Sequence, residues 1–588
     1  MRMRNTVVLG LVLLAAGPMA AEESAAARFA TLIEREWAWR LAEFPTLATA
    51  VGVHDFDDRL EDASLAAYAR RDGETAAFLA ELAGIDRAAL GEADRVDFDI
   101  FRRQLVERRE TFHFGEHLLP LNADSGFHTS FALLHRSCPF ATPRDFENYL
   151  ARLEAFPAWL DQHVERMREG VRRGLTIPRA TLDGIETTIE PLAAGSPDEH
   201  AVFAPFTRLP ATFPAATREV LRERAREVVA EQVIPAYARF LAFMSGEYVP
   251  ACRTSIAATA LPDGEAWYDF LVRNFTTVEM SPRQIHQLGL DEMARLRGEM
   301  EAAMRDAGFA GDFGEFLAFL RTDPRFYAKT PEELLREASW IAKRADAALP
   351  RLFGRLPRQP YGVMAVPQEL APKYTSGRYA GSPRESTEPG WYWVNTHALD
   401  KRPLYNLEAL TLHEAVPGHH LQGALAEEAD EVRPFRRFDY ISAFGEGWGL
   451  YAEYLGNEAG FYRDPYSRFG YLGYQAWRAA RLVVDTGLHA FGWSRRQAID
   501  YLAANTSLPL VEATSEVDRY ISWPGQALSY YVGYLKIREL RQRAEAALGE
   551  SFDLRAFHDE LLRHGSVPLP VLESIVDAWI AAATPATP

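Results

Sequence analysis

The stretch from His413 to His420 reads His-Glu-Ala-Val-Pro-Gly-His-His, and it decides how the rest of the chain is interpreted. It follows a largely apolar segment, Leu407–Leu412, that suits a buried helix entering a site. A zinc hydrolase needs two neutral imidazoles, a third ligand, an open position for water, and a carboxylate that takes up the proton of that water. The stretch offers imidazoles and a carboxylate, so it predicts a metal centre.

The spacing of the histidines departs from the regular pattern His-Glu-x-x-His, in which positions four apart share one helix face. The fourth position after His413 is Pro417. Proline cannot donate the helical hydrogen bond, and Gly418 tolerates unusual backbone dihedrals. A two-residue bulge at 416–418 would restore an effective spacing of four, and bulges inside helices are often found at functional sites. We therefore predict that His413 and His419 are ligands of one zinc ion.

The same stretch supplies two further roles. Glu414 lies directly beside the first ligand and is predicted to be the general base. His420 is predicted to point to the substrate or to support a ligand. The alternative that His420, rather than His419, is the second metal ligand stays open.

A third ligand is predicted in the segment Phe444–Tyr451, which reads Phe-Gly-Glu-Gly-Trp-Gly-Leu-Tyr. Its acid, Glu446, has glycine on both sides, and such small residues let two helix backbones approach closely. We predict Glu446 as the third ligand, with a surface acid as the alternative. Glu453, two turns further on, is predicted to orient a ligand histidine.

Outward from this core, helical periodicity dominates the chain. The predicted helices before the core are 25–47, 65–82, 96–112, 144–173, 214–244, one that begins at Ser281-Pro282, and one from Thr330 to about residue 348. Those around and after it are 404–426, 435–456, 468–490, 494–503, 526–548 and 554–562. Between 350 and 403, proline and glycine are frequent, and two short runs, Tyr361–Val366 and Trp391–Asn395, predict a small sheet. The sequence thus predicts a mainly α fold, with 22–588 as a single helical unit and a zinc-site core at about 350–540.

The segment Leu404–Leu455 resembles the Glu-zincin metallopeptidases, in which a second helix supplies a glutamate ligand. More specifically, the chain resembles the bacterial domain-of-unknown-function family 885. Further matching segments are Gly390–Asn395, Arg481–Trp493, Pro524–Gly533 and Phe552–Leu572. The resemblance implies a two-lobed helical fold, with a small sheet beside a deep active-site groove, and peptidase chemistry.

Pro524–Tyr531 resembles the tyrosine-bearing helix that related peptidases place over the zinc. A phenol there can donate a hydrogen bond to the tetrahedral intermediate, and Tyr530 is the predicted donor. Tyr531 and Tyr534 are alternates, and ordinary packing is the other interpretation.

A second group of candidates shares one helix face, because Arg481, Asp485 and His489 are spaced four apart. Asp485 is predicted to hold both neighbours, which would aim His489 or Arg481 at an oxyanion or a substrate carboxylate. A structural ion-pair ladder is the alternative.

The run Trp391–Asn395 is predicted to form a sheet edge that binds an extended peptide through main-chain hydrogen bonds. Tyr392 and Asn395 would then contact the substrate. The alternatives are a plain core strand and an aromatic platform for a sugar.

The net charge limits the possible partners, and the first residues point to export. The chain of 588 residues has a net charge of −18, which argues against nucleic-acid partners and against binding to anionic lipid. Arg2 and Arg4, an apolar run and small residues before Glu22 predict a signal peptide over 1–21, with an uncleaved anchor as the alternative. The mature protein is expected to be periplasmic or secreted, without membrane attachment. The pairing of Cys138 with Cys252 stays open.

Together these features predict an exported zinc-dependent peptidase that acts on a peptide substrate. The alternatives are a zinc hydrolase of a non-standard amide or cell-wall peptide, and a catalytically inactive metal-binding or peptide-binding protein. Endo- and exopeptidase action, the terminal specificity and the oligomeric state stay open.

Overall fold

The structure, a computed structural model, describes residues 24–584 except residue 124 and the segments 369–370, 372–373 and 383–387. The signal peptide predicted for 1–21 lies outside the described residues. Across the described part, no helix combines the length and the apolar character that a membrane crossing requires. Most of this part is α-helical, which confirms the mainly α fold class.

The N-terminal helices belong to the larger of two hydrophobic clusters, which also contains most of the chain after residue 258. They are α1 (Ala25–Glu43), α3 (Leu65–Ala83) and α4 (Glu92–His113), and the short helix α2 (Pro45–Ala50) lies between α1 and α3 in the chain. The helix predicted over 25–47 is interrupted at Phe44, because a residue before proline is disfavoured in the α conformation.

The second hydrophobic cluster draws nearly all its residues from 121–252, which we call the smaller lobe. Its helices are α5 (Phe127–Ala132), α6 (Pro143–Arg173), α7 (Glu190–Ala193), α8 (Ala204–Thr207), α9 (Ala215–Val228), α10 (Ile234–Phe243) and α11 (Val249–Ala251). Cys138 and Cys252 both lie in this lobe as free thiols.

The chain then returns to the larger lobe with α12 (Gly264–Thr276), α13 (Pro282–Asp306), α14 (Phe313–Thr322) and α15 (Pro331–Leu352). The starts of α13 and α15 are as predicted. Ser281 caps the main-chain N–H of Gln284, Thr330 caps that of Glu333, and proline follows each cap.

The small sheet follows α15 and consists of β1 (Tyr361–Ala365), β2 (Gly377–Ala380) and β3 (Gly390–Val394). The two predicted strands, β1 and β3, are confirmed, whereas β2 was not predicted. The strand order is β1-β3-β2, with β3 parallel to β1 and antiparallel to β2. The prediction that the run containing β3 is a sheet edge is therefore wrong, because β3 is paired on both sides.

The remaining helices carry the site. They are α16 (Leu407–Glu414), α17 (His419–Glu427), α18 (Pro434–Arg437), α19 (Ser442–Ala459), α20 (Pro465–Ala490), α21 (Arg495–Asn505), α22 (Leu510–Ser522), α23 (Ser529–Leu548), α24 (Leu554–Leu562) and α25 (Leu569–Ala583). Helix α20 packs along α13, and α19 packs against both α16 and α23.

Candidate metal centre

The histidine segment is a break between two helices. Helix α16 ends at Glu414, α17 begins at His419, and residues 415–418 between them include a cis Val416–Pro417 peptide bond. A Cβ atom on Gly418 would lie 1.9 Å from the carbonyl oxygen of His413, so only glycine fits there. The predicted bulge inside one continuous helix is therefore wrong, because the helix ends and restarts.

This break nevertheless brings the two predicted ligands together. The rings of His413 and His419 lie 4.7 Å apart at an interplanar angle of 89°. Trp448 on α19 donates a hydrogen bond from its indole to the carbonyl oxygen of Pro417 at 2.8 Å. This hydrogen bond connects the break to α19, the helix that also carries Glu446.

Glu446 completes a cluster of three donors. Its Oε2 lies 3.5 Å from Nε2 of His413 and 3.4 Å from Nε2 of His419, and the three ligand atoms all lie within 4.8 Å of one another. Zinc bonds to such atoms are about 2.0–2.2 Å long, so ligand atoms around a tetrahedral ion lie about 3.4 Å apart. The donor set and the two Glu446 distances fit a zinc ion.

Glycines on α19 make this approach of the helices geometrically feasible, as the sequence predicted for the residues around Glu446. A Cβ atom on Gly447 would lie 2.7 Å from the Cα of Gly533 on α23, and one on Gly449 would lie 2.6 Å from the ring of His413. Larger residues at these two positions would push α23 and the His413 ring away from α19.

The other ring nitrogen of His413, Nδ1, contacts a second carboxylate. Nδ1 of His413 lies 2.8 Å from Oε1 of Glu453, which confirms that Glu453 orients a histidine of the cluster. Burial lowers the pKa of His413, but Glu446 and Glu453 outweigh this effect and raise that pKa to about 10. Burial raises the pKa of Glu446, but the two imidazoles outweigh it and hold that pKa well below its usual value. The cluster thus stabilises a positive charge, which a proton or a metal ion can supply.

The predicted base, Glu414, lies at the end of α16 beside His413 and is 8% exposed. Its Oε2 accepts a hydrogen bond of 2.8 Å from the main-chain N–H of Tyr379 on β2. One carboxylate oxygen is thus fixed by the unpredicted strand.

Tyr440 is a site residue that sequence reasoning missed. Its phenol donates a hydrogen bond of 3.1 Å to Oε1 of Glu446, and its ring lies where a side chain on Gly445 would be. The residue is 58% exposed, so it borders both the cluster and solvent. The position of Tyr440 shortly before Glu446 was the available signal, but 23 tyrosines gave it no prominence.

Tyr530 lies near the cluster without contacting it. Its ring is half-buried and lies 4.2 Å from the guanidinium of Arg481. Its phenol is close enough to that of Tyr440 for the two to interact electrostatically. Its predicted role as oxyanion donor stays a prediction.

The prediction that His420 contacts substrate is wrong. Its side chain is 1% exposed, with Nδ1 3.2 Å from the phenol of Tyr379 and Nε2 3.1 Å from the carbonyl oxygen of Gln359. Burial lowers its pKa to about 4. His420 therefore lies apart from the cluster, and it is His419 that faces Glu446.

The predictions for Tyr392 and Asn395 are also wrong, because both side chains are fully buried and their polar atoms contact other groups of the protein. The phenol of Tyr392 lies 3.3 Å from the hydroxyl of Thr411. The amide nitrogen of Asn395 donates to three main-chain carbonyl groups, those of Ala371, Tyr374 and Thr375. The alternative interpretation, a core strand, is the observed one.

His489 is likewise structural, contrary to its predicted catalytic role. Nδ1 accepts a hydrogen bond from the main-chain N–H of Ala258, and Nε2 lies 3.0 Å from the carbonyl oxygen of Tyr520. Asp485 does not hold it, because Asp485 accepts hydrogen bonds from the phenol of Tyr268 and the main-chain N–H of Gly525. Both ring nitrogens of His489 are thus occupied.

A helical fold in which the ligand atoms of two histidines and one glutamate lie within 4.8 Å of one another defines a class of candidate metalloproteins. The chain belongs to the family described as bacterial protein of unknown function (DUF885), whose model matches residues 45–576.

Two solved structures resemble the chain. One, described as a "putative lipoprotein" from Colwellia psychrerythraea, is 29% identical with a TM-score of 0.88, and the match covers 95% of this chain and 100% of that one. The other, described as a "putative lipoprotein of unknown function" from Shewanella oneidensis, is 19% identical with a TM-score of 0.69, over 94% and 99% of the two chains. The second likeness concerns the fold alone. A comparison with curated proteins gives no match.

Proposed function

We propose that this protein is a zinc-dependent peptidase. The observation that carries the proposal is the convergence of the ligand atoms of His413, His419 and Glu446 within 4.8 Å, with Glu414 as the residue directly after His413. The resemblance of this segment to the Glu-zincin metallopeptidases supports the same chemistry. A protein that only stores metal does not need a base at this position.

Three residues, His413, His419 and Glu446, would hold the zinc ion. When bound, this ion supplies a Lewis acid that polarises the scissile carbonyl group and lowers the pKa of water. Glu414 takes the proton of the attacking water and passes it to the leaving amine. Because the N–H of Tyr379 fixes Oε2 of Glu414, Oε1 is the oxygen that carries the proton.

The developing oxyanion needs a hydrogen-bond donor close to the cluster. Tyr530 and Tyr440 are the phenols on that side, and His489 is excluded by its main-chain contacts. We expect the substrate main chain to lie along the outer edge of β2, because β3 is paired on both sides and the N–H of Tyr379 on β2 already contacts Glu414.

We also propose a periplasmic or secreted location. The support is the signal-like pattern of residues 1–21 and the description of the similar Colwellia psychrerythraea structure as a "putative lipoprotein".

The test is mass spectrometry of a mixed peptide pool after incubation with the purified, zinc-loaded protein, with Glu414→Gln beside it. Cleavage by the wild type alone supports a peptidase, and the fragment ends show where in a peptide it cuts. Zinc-loaded wild type that leaves all peptides intact would contradict the proposal and favour a non-standard amide substrate or a binding role.

A further inference from the structure

Two buried arginines lie one turn apart on α20, close to the candidate metal centre. Arg478 is 5% exposed and Arg481 is 3% exposed. A buried guanidinium group is costly unless it is paired and hydrogen-bonded. The contacts of both groups therefore show whether the protein itself satisfies them.

Arg478 is poorly satisfied by the protein. Its guanidinium lies between the rings of Tyr474 and Trp477, at 4.5 and 4.2 Å. Its nearest carboxylate oxygen is Oε1 of Glu453, 3.8 Å from Nη2, and that oxygen also contacts His413. Among the described residues, Nε and Nη1 of Arg478 have no hydrogen-bond partner, although both atoms are buried.

Arg481 is satisfied on one side only. Nη2 donates to Glu516 at 3.0 Å and Nε donates to the phenol of Tyr520 at 3.0 Å. Glu516 is shared with Arg519, so Arg481 has no carboxylate of its own. Nη1 of Arg481 is buried, and no group in the described part of the chain accepts a hydrogen bond from it.

Arg478 is connected to the metal cluster through Glu453, which contacts both Arg478 and His413. Arg481 lies one turn further along α20, against the ring of Tyr530. Free donors next to a hydrolytic centre are suited to a charged part of the substrate.

We infer that Arg478 and Arg481 form a carboxylate-binding site beside the metal cluster, and that the substrates are short peptides whose free carboxylate binds there. This inference rests on the proposed peptidase function. Guanidinium groups match carboxylates geometrically, and each of the two arginines carries unpaired donors from which a carboxylate can accept. It can come from the peptide C-terminus or from an acidic side chain.

Two pairs of probes test the inference without any variant. The first pair is acetyl-Ala-Ala-Phe and its C-terminal amide. The second is acetyl-Ala-Asp-Ala amide and acetyl-Ala-Asn-Ala amide. We expect the wild type to prefer the carboxylate member of one pair by about 10²-fold or more in kcat/KM, because a site built to bind a group rejects an analogue that lacks it. The pair that shows the preference identifies the source of the carboxylate, and equal rates within both pairs would overturn the inference.

Variants then test the residues. Arg478→Gln and Arg481→Gln should each reduce the preference at least about tenfold. Arg541→Gln is the matched control, because Arg541 is a buried arginine that is fully engaged with Glu458, Glu545 and Tyr451. It should keep the wild-type preference. An undiminished preference in both test variants would overturn the assignment to these arginines.

A failure of the peptidase proposal is distinguishable from a failure of this site. If zinc-loaded protein cleaves none of the four probes, calorimetric binding of the same probes to the wild type replaces the rates. Tighter binding of a carboxylate member than of its amide, lost in Arg481→Gln, would support the site without peptidase activity. Equal binding of the members of both pairs, or no binding at all, would overturn it.

Discussion

The end of α16 and the end of α20 each carry a buried histidine, and the two are used differently. His489 on α20 has both ring nitrogens engaged with the main chain, at Ala258 and Tyr520. His413 on α16 has Nδ1 engaged with Glu453, whereas Nε2 faces Glu446 and His419. Burial is the same for both residues, so it does not separate them. The group that the second ring nitrogen contacts distinguishes a structural histidine from a candidate ligand.

The zinc content of two histidine variants tests this difference between His413 and His489, and we expect the strongest change here. His413→Ala should lose the zinc ion, because one of only three donors and the Glu453–His413 contact disappear together. His489→Gln should keep about one zinc per chain, because its contacts lie elsewhere. Metal analysis of both purified proteins, with circular dichroism as a check of folding, measures the effect. Full zinc content in folded His413→Ala would contradict the ligand assignment.

The next effect concerns the base beside that ligand. Glu414→Gln should lower kcat by about 10²–10⁴-fold and retain zinc, because general-base catalysis contributes about this much. Glu408→Gln on the same helix is the control, since Glu408 contacts Arg344 and the main-chain N–H of Tyr462. Its kcat should stay close to that of the wild type. A fully active Glu414→Gln protein would exclude the proposed mechanism.

Local spacing in the sequence was enough to predict the residues of the candidate metal cluster. Residues His413, Glu414 and His419 lie within seven positions, and Glu446 and Glu453 share one helix, so their relative placement depends on short-range geometry. The break at 415–418 was signalled by Pro417 and Gly418, although the form of the break was not. Most of the helices were predictable for the same reason, because their periodicity is local.

The structural roles of His489, His420 and Tyr392 depend on contacts between distant parts of the chain, which no local sequence pattern indicates. His489 is fixed by the N–H of Ala258, more than 200 positions away, and His420 by the carbonyl oxygen of Gln359. The central position of β3 follows from its pairing with β2, a strand of four residues that carries no clear signal of its own, and the phenol of Tyr392 contacts Thr411 on α16. Residue type and spacing identified candidates, but distant main-chain groups decided which of them were structural.

A structural histidine should be visible in the pH dependence of stability. Burial lowers the pKa of His489 to about 4, below its ordinary value of 6.5. Between these two pH values the unfolded chain binds a proton that the folded chain does not, so the free energy of unfolding falls as the pH falls from 6.5 to 4. The loss due to His489 amounts to about 3 kcal/mol at pH 4.

Urea unfolding at several pH values measures this loss. His489→Gln cannot titrate and should show a correspondingly shallower decline, whereas exchange of the exposed His397 should leave the wild-type decline unchanged. An equally steep decline in His489→Gln would mean that His489 is protonated in the folded state, contrary to its two main-chain contacts.

The last prediction concerns the zinc affinity of His413, whose Nδ1 contacts the carboxylate of Glu453, whereas Nδ1 of His489 contacts the main chain. Glu453→Gln keeps a hydrogen-bond acceptor but removes the charge that stabilises the Nδ1–H tautomer and raises the basicity of the ligand. Zinc affinity should fall about 10–100-fold, as for other partners of metal-bound histidines. Competition with a chelator of known affinity measures this, and Glu458→Gln, five residues further along α19 and paired with Arg541, is the control. An unchanged affinity in Glu453→Gln would mean that the carboxylate only places the ring, as the main chain does for His489.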